Sequence, residues 1–152
     1  MNPQNNRRQL WLNLLAQVLS FLTVLVSFWG VTIVYFNLAQ SATPFWPLPG
    51  LIMVDLVLIG IIGFVATYLG IRGVKGRWLR VSWVIMGAFI PLFIVTAFSL
   101  GIFLLAAYGF YIMSTIILTV QRKSNWLLSF GLLMLGSLAN LGLLLLIITL
   151  VS

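Results

Sequence analysis

A single carboxylate, Asp55, is the only acid in a 152-residue chain that also has no histidine and no cysteine. Hydrolysis and group transfer typically need paired carboxylates, a histidine or a cysteine. Zinc or haem would need ligands this chain does not possess. No Walker-type phosphate loop, HExxH or GxSxG pattern occurs, and Gly73-Val74-Lys75-Gly76 reads as a turn. The residue types therefore argue against an enzyme and call for no cofactor or metal. They leave Asp55 as a candidate for handling a proton or a cation, since an intramembrane carboxylate is a functional candidate by default. Its place about four residues into the second span, about 6 Å from the outer end and within reach of the helix dipole, reads first as structural or interfacial.

Other polar residues stand out against the apolar background. Asn140 lies near the middle of a long apolar run, where an unpaired amide is expensive, so it must face other helices. Gly136, one turn earlier, allows a neighbouring backbone to approach. Asn13, Gln17, Ser20 and Ser27 share one helix face at spacings of four, three and seven; that face reads as packing surface, or as the wall of a polar crevice. Gly60, Gly63, Thr67 and Gly70 form a small-residue stripe for close helix contact. Pro91 removes the helical bond to the Gly87 carbonyl and is a candidate hinge. Tyr108 and Tyr111 are three apart on one face, as core or as lining for a lipophilic ligand.

The elements that hold these residues follow from hydropathy and charge. The chain is 62% hydrophobic and 6% charged, with a formal net charge of +7. All eight basic residues fall in three clusters: Arg7 and Arg8; Arg72, Lys75, Arg77 and Arg80; Arg122 and Lys123. So much apolar surface needs a bilayer as solvent. The expected architecture is all-α, one multi-pass domain over residues 1–152, a bundle of five transmembrane helices. The spans are placed at about 10–38, 51–71, 81–99, 101–121 and 126–150.

Residues 81–121 carry no charge. As one helix they would be about 60 Å long, twice the apolar thickness of a bilayer. Two spans joined by a turn near Ser99-Leu100-Gly101 fit better than the alternative four-span model, which would put Arg122 and Lys123 on the wrong side. With five spans every positive charge is cytoplasmic, the N-terminus is cytoplasmic and the C-terminus is outside. The first run is too long for a signal-peptide core of about 7–15 residues, so it is expected to stay as a span. Residues 39–50, with Pro44, Pro47 and Pro49, read as a stiff extended loop that lays Phe45 and Trp46 at the headgroup layer. Trp11, Trp78, Trp83 and Trp126 fall at the inner interface and Trp46 at the outer one, where indole is at home. Ser124 or Asn125 is placed as the N-cap of the last span.

A basic chain can bind nucleic acid, but here each charge flanks a span. Orientation and headgroup attraction, about 1 kcal/mol per residue, account for them. Two functions remain. The first is a small non-catalytic cell-membrane protein, bacterial or archaeal, that acts through helix contacts as an accessory subunit, assembly partner or regulator. The second is a small transporter, channel or lipophilic-ligand sensor working as an oligomer. Membrane lipids are partners in either case, with a second membrane protein or a homo-oligomer beside them. A water-filled cavity joining Asp55 to the polar face of the first span would favour transport; a dry bundle would favour the partner.

Overall fold

Long uncharged apolar runs cannot leave backbone N–H and C=O groups unpaired in lipid, so they fold as helices that satisfy those groups internally. The computed structural model describes residues 3–40, 46–73, 77–96 and 101–151. They form α1 Pro3–Gln40, α2 Leu48–Ile71, α3 Arg77–Thr96, α4 Gly101–Gln121 and α5 Trp126–Val151. All five helices are long and apolar enough to cross a membrane.

The helix ends differ from the sequence expectation in informative ways. Helix α1 runs on to Gln40, and α2 begins at Leu48, three residues before the expected Leu51. Pro49 fits there because the first helical residues need no intrahelical N–H partner, and Pro47 serves as the N-cap residue. The proposed extended loop is thereby shortened at both ends; its Phe45 lies outside the described residues, while Trp46 is 59% exposed. Helix α3 takes in Arg77 and Arg80 and ends at Thr96. Ser99 and Leu100 lie outside the described residues, and Gly101 is the first residue of α4. Asn125 does cap α5: its Oδ1 accepts the Leu127 N–H at 3.1 Å.

Contacts fix the directions of the helices. Ser114 bonds Ala16 while Thr23 bonds Ala107, so α1 and α4 run antiparallel. Gly63 meets Tyr111 and Gly70 meets Leu118, so α2 and α4 run parallel. Trp83 packs on Trp126 and, further along both helices, Asn140 bonds Ala88, so α3 and α5 run parallel. Directions therefore alternate from α1 to α5. The arginines that flank the helices gather at one end, the basic end; the opposite end is uncharged.

Helix α3 is the hub. In its most apolar stretch 56% is buried inside protein, against 22% in α1 and in α5. It packs on α2, α4 and α5, whereas α1 packs on α2 and α4. The core runs along α3 through Trp83, Met86, Phe89 and Leu92, with Leu56, Leu104, Tyr111, Leu118 and Leu144 around it.

The basic end also has a structural use. Arg122 donates from one guanidinium nitrogen to the carbonyls of Gly70 at 3.0 Å and Ile71 at 3.2 Å. These are among the last carbonyls of α2, at the negative end of the helix dipole; Gly70 O also accepts the Gly73 N–H at 3.4 Å. Gly73, at φ +78, makes the turn that follows.

Candidate functional site

Asp55 is the eighth residue of α2, about 10 Å from the start of that helix by helical rise. The sequence placed it about 6 Å from the end, within reach of the helix dipole. The earlier start of α2 moves it deeper, beyond the first turn where that dipole acts. Its carboxylate interacts with the Asn140 side chain, which belongs to the middle of α5. One carboxylate oxygen, Oδ2, is buried and has no hydrogen-bond partner among the described residues.

Asn140 is 7% exposed. Its Nδ2 donates to the Ala88 carbonyl of α3 at 2.7 Å. Ala88 lies three residues before Pro91, which is itself buried inside α3. Three helices therefore meet at one polar locus: the acid from α2, the amide from α5, and the proline-bearing turn of α3. Asp55 and Asn140 were separate candidates in the sequence, and the fold brings them together; Pro91 lies three residues along α3 from the carbonyl that Asn140 bonds.

This locus is held by a very close helix crossing. A Cβ built on Gly136 would fall onto the Val84 carbonyl oxygen, and one on Gly87 onto the Leu133 carbonyl oxygen. The arrangement is reciprocal, since each glycine faces the residue three before the other. Only glycine lets two backbones approach this closely, and such contacts are a principal source of helix affinity in lipid. The sequence singled out Gly136 but not Gly87, whose importance depends on which helix lies opposite.

The remaining candidates lie elsewhere. Gln17 is half-buried on α1, and its backbone carbonyl accepts the Ser20 hydroxyl at 2.9 Å. The polar face of α1 packs on α4: Ser114 Oγ donates to Ala16 O at 2.8 Å, and the Thr23 hydroxyl is shared between Leu19 O of its own helix at 3.1 Å and Ala107 O at 3.2 Å. Thr23, missed in the sequence, belongs to a small-residue series Ala16, Ser20, Thr23, Ser27 and Gly30, all buried, whose four-three spacing was the available signal.

Tyr111 is fully buried, and its phenol donates to Gly63 O at 3.4 Å. The Ser82 hydroxyl donates to Trp78 O within its own helix at 3.1 Å, and the buried Thr67 and Thr115 hydroxyls have no hydrogen-bond partner among the described residues. Phe89 packs between the two tyrosines, with ring centroids 5.9 Å from Tyr108 and 5.7 Å from Tyr111. Tyr111 belongs to the packed core, and Tyr108 is partly buried against it. Trp83 also departs from the interfacial expectation. It is 5% exposed, and its indole N–H donates to Thr119 Oγ1 at 3.0 Å, so protein rather than headgroups satisfies it.

A cavity of ≈ 230 Å³ opens near the uncharged end, lined by Val34, Leu38, Leu48, Ile52, Met53 and Thr96 among others. Neither Asp55, Asn140, Gln17 nor either tyrosine lines it.

Fold and site together define a helical bundle of membrane-spanning character with one polar locus among α2, α3 and α5. No protein-family model, curated protein or solved structure matches the chain.

Proposed function

We propose that this chain is a non-catalytic, multi-pass cell-membrane protein that acts through helix contacts, as an accessory subunit, assembly partner or regulator of another membrane protein. One observation carries the reading: polar side chains inside the bundle are used to join its own helices. Ser114, Thr23, Asn140, Tyr111 and Trp83 each bond a neighbouring helix. Asp55 meets α5 rather than the polar face of α1, and the cavity near the uncharged end has a mainly apolar lining. A polar route across the bundle, which transport would need, is thus not supported by the groups that would have to build it.

The basic end is assigned to the cytoplasm, because lysine and arginine in short loops stay there. That puts the N-terminus inside and the C-terminus outside, in a bacterial or archaeal cell membrane. A lone cysteine at Ser152 should then react only with reagent added from outside; labelling from the cytoplasm would reverse the assignment.

The functional test is native mass spectrometry of the gently solubilised chain from its own cells. A second membrane protein at fixed stoichiometry is the expected result. A monomer or homo-oligomer carrying a defined small molecule would replace this reading with the transporter or sensor alternative.

A further inference from the structure

We propose that Asp55 anchors an intramembrane charge pair: a transmembrane helix of the partner docks against α2 beside α5 and brings a lysine or arginine to the carboxylate. The inference rests on the assembly reading above and names the chemistry of the partner.

An ionised carboxylate at this depth needs a counter-charge. Asn140 supplies a hydrogen-bonding neighbour but no charge, and Oδ2 stays without a hydrogen-bond partner among the described residues. The chain's own cations are out of reach. Arg72 is seventeen residues further along the same direction of chain, about 25 Å by helical rise. Arg7, Arg77, Arg80 and Arg122 belong to the same basic end as Arg72. A second copy packed side by side in the same orientation has its arginines at that end too, so a homodimer does not neutralise Asp55.

Oδ2 itself is covered, so an incoming cation approaches Asp55 from the part of the side chain that is not buried. Asp55 is only partly buried, and its helix neighbours Val54 and Leu58 are 49% and 50% exposed. Residues three apart share a helix face, so Asp55 lies at the edge of the outward apolar face of α2. An inorganic cation is a poorer occupant because it needs several oxygen ligands. The Asn140 nitrogen is held in this locus by Ala88, and the carbonyl it bonds is already occupied.

The test uses host peptides of leucine and alanine, about 21 residues long, reconstituted in phosphatidylcholine vesicles with the full chain. One carries a single lysine about 10 Å from one end; its control has leucine there. The chain is labelled at a cysteine introduced at Ser124, and association is read by energy transfer. The lysine peptide should bind wild type about tenfold more tightly than the leucine peptide. Asp55→Asn should erase that difference, and Asp55→Glu should keep it, with thermal unfolding of both variants close to wild type. Equal binding of the two peptides to wild type would overturn the charge pair, and is the result expected if a proton alone neutralises Asp55. A lysine preference that survives in Asp55→Asn would overturn it as well. Either failure leaves the assembly reading standing, since that reading fails only if no partner protein co-purifies.

Discussion

The α3–α5 and α1–α4 contacts solve one problem in two ways. In lipid there is no hydrophobic gain from bringing helices together, so packing and hydrogen bonds must do it. Helices α1 and α4 meet through hydroxyls that reach across to backbone carbonyls, Ser114 to Ala16 and Thr23 to Ala107. Helices α3 and α5 meet through missing side chains, with Gly87 and Gly136 each set against a backbone carbonyl and Asn140 adding one bond beyond them. The first contact is a row of separate, replaceable bonds. The second is a single close fit that fails if either backbone is pushed away, and it is the contact that also positions Asn140 beside Asp55.

The largest effect is therefore expected at Gly136→Val. Its Cβ would collide with the Val84 carbonyl, which belongs to backbone and has no rotamer to yield. Overpacking at a rigid site costs about 3 kcal/mol or more. Thermal unfolding in detergent should show a strongly destabilised chain with α5 detached; a melting point near wild type would contradict the close crossing.

Asn140→Leu comes next. It removes the bond to Ala88 and the neighbour of Asp55, at a cost of about 1–2 kcal/mol. Unchanged stability would show that the amide is not holding α5 to α3. On the other side of the molecule, Thr23→Val and Ser114→Ala each remove one hydroxyl bond. Each should lower stability by about 0.6 kcal/mol, nearly additively in the double variant. A double variant as unstable as Gly136→Val would erase the contrast between the two contacts.

The smallest effect is expected at Gly60→Ala. A Cβ there would meet Ser27 Oγ at 3.6 Å, ordinary contact, and alanine favours the helix by about 1 kcal/mol over glycine in water. Stability should stay the same or rise slightly. A marked loss would mean that α1 and α2 pack as tightly as α3 and α5.

Much of the framework was legible in the residues. The basic clusters and the charge-free stretch 81–121 called for five helices with alternating direction, and Asn125 announced the start of α5. Asn140 could be read as a group that must find a partner, because burial of an amide leaves few alternatives. The boundaries around the proline segment were less legible, since proline ends a helix but also fits its first turn; α2 accepted Pro49 and gained depth for Asp55.

By itself the sequence pointed to a bilayer as solvent and favoured five helices over four, with alternating direction. These depend on local hydropathy and on charges that resist crossing lipid. It also set the ground for expecting no catalysis, since the chain has one carboxylate and no histidine or cysteine. Only the tertiary structure decided that Asp55 meets Asn140, eighty-five positions away, and that Asn140 bonds α3 three residues before Pro91. It also decided that Gly87 matters as much as Gly136, and that Trp83 and Tyr111 turn inward. Helix periodicity tells which residues share a face, but which face meets which helix depends on how closely two backbones can approach, and that is a property of both helices at once.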